Sequence, residues 1–215
     1  MKKLMNLFAL LIIFTYSCKK DDPVECPSEP ILNYTPMSIG DYWVYEVFFV
    51  DTNGNDSSIN RIDSMYVSGD TIINQNTYTI IDGDHFIFGT SRPQILRDSN
   101  GYIVDHNGTF IFSLTDFTTP FNAWAQTNND GDTIMHWYRK MMSGEIQMST
   151  QAGVFSCLRS QIFFYHLMPN MASPRLYPDY YANNVGLVVN TIGYASQPGY
   201  YERRLIRYQV TNPTP

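Results

Sequence analysis

The sequence predicts a mainly β domain, an antiparallel meander with little helix. Three observations carry this. Short runs of alternating residues recur along the chain, each closed by Gly or Asn turn residues. Nowhere do apolar residues keep a 3.6-residue period for three turns. The apolar residues are unusually aromatic, with 16 Tyr and 13 Phe in 215 residues, and such side chains suit a pleated, half-buried surface.

The elements follow in order. Gly40-Asp41 opens the domain onto the run YWVYEVFFV, apolar on both faces except at Glu46, so this strand is expected to be covered on both sides for part of its length. Asn53-Gly54 is a hairpin signal. Residues 58–67 alternate as a second strand, and Ser68-Gly69-Asp70 is expected to turn the chain. Residues 71–73, 77–81, 86–88, 94–97, 102–104 and 110–114 are short strands between turns such as Asn100-Gly101 and Asn107-Gly108. Residues 115–126, with Pro120 inside, are expected to be irregular or one short helical turn. Residues 132–142 and 145–151 are expected to pair across Ser143-Gly144. Residues 154–167 alternate as a long strand, and 168–181 form a Pro-rich aromatic loop. Residues 185–192 and 201–210 close the sheet. Short consecutive connections imply antiparallel neighbours.

Composition narrows the function. The formal charge is −6, which argues against nucleic acid, whose binding draws on Lys and Arg, and against electrostatic docking on anionic lipid. A hydrophobic content of 44% is that of a folded chain. About 190 residues suit one domain with a real core.

The four histidines, His85, His106, His136 and His166, have no metal-site spacing, and no H-E-x-x-H or G-x-S-x-G occurs. His136 and His166 are expected as core or edge residues of strands. Asp82-Gly83-Asp84-His85 reads as turn chemistry. Asp51-x-Asn53-x-Asn55 starts like a calcium loop but has Asp56 and Ile62 where Gly and Glu are needed. No catalytic residue, cofactor or metal ligand is assigned, and the chain is expected not to be an enzyme. Tyr177, Tyr180 and Tyr181 could form a surface patch for a glycan or protein, or cover the sheet as core.

At the N-terminus, Lys2 and Lys3 precede the apolar run Leu4–Tyr16, too short to span a bilayer as a helix (about 20 residues) and suited to a secretory signal. Small Ser17 precedes Cys18, and the chain then turns polar at KKDD. This stretch resembles a bacterial lipoprotein signal in a relaxed form, with Thr15 where Leu is usual. The resemblance implies cleavage before Cys18, acylation of that cysteine, and an envelope location in the outer membrane. KKDD resembles the signal that sends Bacteroidetes lipoproteins to the cell surface. Residues 1–17 are then the signal peptide, 18–33 the lipid anchor and tether, and 34–215 a single β domain. The membrane, through this lipid, is the one partner the sequence names. The two other cysteines, Cys26 and Cys157, could pair in an oxidising compartment, or remain one buried and one exposed thiol.

Several local patterns together resemble a family of uncharacterised Bacteroidetes secreted lipoproteins. They are IGDYWVYEV, SGDTIINQNTYTII, QILRDSNGYI, LTDFTTPFNAW with NNDGDT, AGVFSCLRSQI and YYANNVGLVVNTI. The resemblance covers most of residues 35–210 and departs at Asn183-Asn184, where a small residue and Gly are usual. It implies a single antiparallel sheet curled into an open or half-closed barrel, as in lipoprotein carrier and sorting proteins, and no catalytic residues. The expected function is binding of an apolar or lipid ligand in the curved sheet, with a glycan- or protein-binding module as the alternative. Asp-Ser/Thr-apolar triplets at Asp63, Asp70 and Asp132 resemble the O-glycosylation acceptor of the same bacteria.

Overall fold

A computed structural model describes residues 32–83, 93–166, 174–194 and 197–211. The signal peptide, Cys18, the tether up to Ile31, Cys26, His85 and the strand expected at 86–88 lie outside them. The described residues contain no helix. They form one antiparallel sheet of 12 strands, a nearly closed barrel with one unsealed seam.

The strands are β1 Tyr42–Val50, β2 Asp56–Ile73, β3 Asn76–Gly83, β4 Gln94–Asp98, β5 Tyr102–Asp105, β6 Phe110–Ser113, β7 Phe121–Thr127, β8 Thr133–Thr150, β9 Gly153–His166, β10 Arg175–Ala182, β11 Gly186–Gly193 and β12 Tyr200–Gln209. Neighbours in sequence are neighbours in the sheet, so the chain makes two meanders, β1–β6 and β7–β12. Pairing of β1 with β12 joins them, leaving β6 and β7 as the free edges.

Three expectations are corrected. Ser68-Gly69-Asp70 does not turn the chain: β2 runs straight through it for 18 residues, with a register shift between Val67 and Gly69. Ser143-Gly144 is not a hairpin either. It lies inside the 18-residue β8, where Gly144 has φ +82° and the register shifts between Met142 and Ile146. Both are bulges, where one extra residue in β2 and two in β8 leave the ladder and bend the strand, the device that curls a flat sheet. Finally, residues 121–127 and 175–182, expected as irregular segments, are strands β7 and β10.

The core follows the alternation of β1. Trp43, Tyr45 and Val47 are 4%, 0% and 0% exposed, while Tyr42, Val44 and Glu46 are half-buried on the other face. Trp43 Nε1 donates to Val185 O at 2.6 Å and Tyr45 Oη to Leu187 O at 2.9 Å, so each ring satisfies its polar atom on a backbone carbonyl at the β11 end. The Ala182–Gly186 turn absorbs the departure at Asn183-Asn184. Asn184 takes φ +56°, which Asn tolerates, and Asn183 Oδ1 accepts from Asn33 N.

Side chains bridge the β6–β7 seam. Asn122 accepts from Phe110 N at 3.0 Å and donates to Phe110 O at 2.7 Å, so its amide stands in for a missing rung of the ladder. Phe110 and Phe121 stack beside it with centroids 3.8 Å apart.

Candidate functional site

The barrel interior holds a cavity of about 540 Å³. That lies within the roughly 300–1,000 Å³ of ordinary small-molecule sites. One wall comes from the first meander: Met65, Ile81, Leu96, Ile103 and Ile111. Their strands pair in succession, so the wall is an apolar surface interrupted by one polar side chain, Gln94.

The facing wall carries a hydrogen-bonded belt across five adjacent strands. Arg203 on β12 pairs in register with Asn190 on β11, Asn190 with Asp179 on β10, and Asp179 with Ser160 on β9. Directly paired residues share a face, which places these four in one row. Arg203 Nε donates to Asn190 Oδ1 at 3.0 Å, and Asn190 Nδ2 donates to Asp179 Oδ1 at 2.7 Å. Arg139 on β8 donates to Asp179 Oδ2 at 2.8 Å and to Ser160 Oγ at 3.0 Å. Ser160 in turn donates to Ile111 O of β6 at 2.9 Å, carrying the belt across the interior. Arg203 is 4%, Asp179 5% and Ser160 0% exposed.

Charges buried this deeply persist only when paired and hydrogen-bonded, and the belt supplies both. Burial lowers the Arg203 pKa, while the Tyr45 ring, 5.3 Å from its guanidinium carbon, and Asp63 and Asp179 favour the cation. Burial raises the Tyr45 phenol, with Arg203 opposing. Asp63 is 0% exposed and paired with Arg61 at 2.6 Å.

β10 and β11 part below the belt. Their pairing ends at Asp179–Asn190, although β10 stays on β9 as far as Arg175 and β11 stays on β12 as far as Gly193. Asp179 Oδ1 caps the last amide, Thr191 N, at 3.1 Å. Arg175 reaches across to the carbonyls of Tyr194 and Gln197 at 3.2 and 2.6 Å. The Tyr177 ring fills the gap: a Cβ on Gly193 would stand 2.0 Å from Tyr177 Cζ. Tyr177, Thr191, Gly193 and Tyr194 all border the cavity here.

Tyr177 and Tyr181 are therefore interior residues, 7% and 6% exposed, and Tyr180 is half-buried, so the surface patch expected of these three as the alternative is corrected to core and cavity wall. His166 is 5% exposed, and burial, then Arg175, lowers its pKa. His136 stacks on Tyr165 at 4.5 Å. Asp51 accepts from Asn53 N and Asn55 N, each at 2.8 Å, as a hairpin turn does. Among the described residues no three His, Cys, Asp or Glu side chains gather as a metal site. Cys157 is fully buried with a free thiol, and burial, then Glu145, raises its pKa to about 12.

The belt residues escaped the sequence reading, although each leaves a trace. Asn190 interrupts the apolar run LVVNTI, and Asp179 stands between aromatics in YPDYY. An isolated polar residue at an inward position is the signal, and it needs strand neighbours to acquire meaning.

No family model matches the chain, and no curated protein matches it. Two solved structures do. One, described as an exported protein with a YmcC-like fold from Bacteroides fragilis NCTC 9343, is 12% identical and covers 83% of this chain and 100% of its own, with a TM-score of 0.50. The other, described as a lipoprotein from Parabacteroides distasonis ATCC 8503, is 13% identical and covers 83% of this chain and 99% of its own, with a TM-score of 0.51. At such identities, what the chain shares with these two bacterial proteins is the fold.

Proposed function

We propose that this domain binds a small amphiphilic, lipid-like ligand inside the barrel without transforming it, while the acylated Cys18 holds it at the outer membrane. The observation that carries the binding is a cavity of about 540 Å³ with one apolar wall and one polar belt. A cavity serving only packing would be filled, since protein interiors hold few voids larger than a water molecule. A ligand with an apolar body and a polar end matches both walls. The belt aligns no nucleophile with a base, and its groups bond chiefly to one another, which suits holding rather than chemistry. Support for the anchor is the Ser17-Cys18-Lys19-Lys20 stretch and the descriptions of the two similar structures as exported and as a lipoprotein.

Native mass spectrometry of detergent-extracted protein tests both parts. Expected are a mass increment from acylation that Cys18→Ala removes and a dissociable small molecule that Leu96→Trp, which fills the cavity, excludes. Extracted protein with neither a copurified molecule nor uptake of added monoacylglycerol or fatty acid would refute ligand binding.

A further inference from the structure

The end of the barrel that receives the tether is built differently from the far end. Alternate connections of an antiparallel meander share an edge, so the β2–β3, β8–β9 and β10–β11 turns lie at one end with the start of β1. The chain enters there: Asn33 N donates to Asn183 Oδ1 at 2.8 Å, and Asn184 N to Asn33 O at 2.7 Å. Two hairpins stand out at this end. β2 runs on past the Gly40 N to Val67 O hydrogen bond as far as Ile73, about 20 Å. The β8–β9 hairpin folds over the barrel mouth: Ala152 N donates to Leu205 O at 3.2 Å, and the Phe155 ring packs edge-on against Tyr208. Phe155 is thereby turned in, and Val154, on the opposite face of the strand, is turned out.

Both hairpins are free of charge. Residues 71–81 and 146–158 contain no Asp, Glu, Lys or Arg, in a chain that is 16% charged. Their outward side chains are aliphatic instead. Ile72 is 74% exposed and Val154 69%, and Ile39, in the turn before β1, is 64% exposed. Leu32 and Ile146 are exposed at the same end. The far end also exposes Ile59, Ile62 and Leu176, but these stand within three residues of Asp56, Arg61 and Arg175 along the chain. A lone aliphatic on a surface needs no explanation, whereas a group of them on one uncharged end marks a contact. The tether names the other party. Cys18 lies 14 residues before Leu32, a chain that spans about 20 Å when flexible and about 50 Å when fully extended. The far end stands about 30 Å further off, the length of β1. Anionic lipid repels a chain of net charge −6, so a membrane face on this protein has to be uncharged and apolar. We infer that the domain, given the acylated Cys18 of the reading above, stands on the bilayer with this end against the lipid, Ile39 and the Ile72 and Val154 hairpins entering the interface.

The test reconstitutes the acylated protein into phosphatidylcholine vesicles with brominated acyl chains, which quench tryptophan inside the bilayer. Added tryptophans report depth: Ile72→Trp and Val154→Trp at the near end, Ile62→Trp at the far end. After subtraction of the parent's own emission, each near-end reporter is expected to be quenched at least about three-fold more than Ile62→Trp, because an interfacial side chain sits about 5–10 Å deep. Flotation of the protein with the vesicles but no quenching at 72 and 154, or equal quenching at 62, overturns the docking and leaves the anchor standing. Protein that does not float refutes the acylated anchor, and the docking with it. The unacylated Cys18→Ser chain is expected to sediment as a monomer. A dimer that Ile72→Asp/Val154→Asp dissolves would assign the hairpins to a second copy and overturn the docking on lipid.

Discussion

The two meanders line one cavity with different chemistry. The charged residues bordering it, Arg139, Asp179 and Arg203, all come from β7–β12, whereas β2–β6 contribute Met65, Ile81, Leu96, Ile103 and Ile111 with the uncharged Gln94. The apolar wall is non-directional, so it accommodates chains of varied shape. The belt is directional, because each hydrogen bond fixes the next, and a network of this kind holds one geometry. The first half of the chain thus supplies volume and the second half supplies orientation.

The largest effect should come from breaking the belt. Asp179→Ala strands Arg139, Asn190 and the Thr191 amide together, and is expected to lose about 3–5 kcal/mol of stability in urea unfolding. Loss below about 1 kcal/mol would mean that the belt is solvated and not a buried network. On the apolar wall, Leu96→Ala should lose about 2–3 kcal/mol, the low end for leucine, because it enlarges a space that already exists. If Leu96→Ala proved as costly as Asp179→Ala, the contrast between the walls would collapse.

Gly193→Ala drives a methyl into the Tyr177 ring and should lose about 1–3 kcal/mol, with recovery in the double variant Tyr177→Ala/Gly193→Ala. No recovery would show that the ring does not occupy the β10–β11 gap. The gentlest probe is alkali. Burial, then a hydrogen bond to Glu145, raises the Tyr34 phenol from 10.0 to about 12, and burial raises Tyr45 and Tyr181 as well. A raised folded pKa adds stability that is complete below pH 10 and lost as pH rises through 10 toward 12. Tyr34→Phe should flatten that decline in a pH series of thermal melts, and an unchanged slope would assign it to other groups.

The fold class was legible because its signals are local. The apolar run of β1, the Asn53-Gly54 hairpin and the short strands of the first meander read directly from residue pattern, although the run hid which face of β1 is buried and which only half-buried. What misled was glycine beside serine. Ser68-Gly69 and Ser143-Gly144 carry the residues of a turn, yet the ladder continues past both, because a bulge and a turn ask for the same backbone freedom and only the neighbouring strand decides between them. Pro178 hid β10 for a similar reason. A proline has no N–H for the ladder, and it is tolerated here at the end of β10 that has parted from β11. The cavity was legible only as an implication of resemblance. Its belt draws one residue from each strand, and no window along the sequence contains two of them except by way of the turns between.

The closure of β1 on β12 has a consequence for the order of assembly. The Thr211 amide donates to the Asp41 carboxylate across 170 residues of chain, beside the point where the first strand meets the last. During synthesis the first meander can zip strand by strand, but β1 keeps one edge bare until the final strand is made. That edge carries the densest aromatic run in the protein, a ready template for a wrong partner. Contacts of such span form slowly, so the interval of exposure is long. The protein is therefore most vulnerable not where its finished barrel is open, at β6 and β7, but where it ends up sealed. A holding chaperone for the half-made chain would be expected to grip β1.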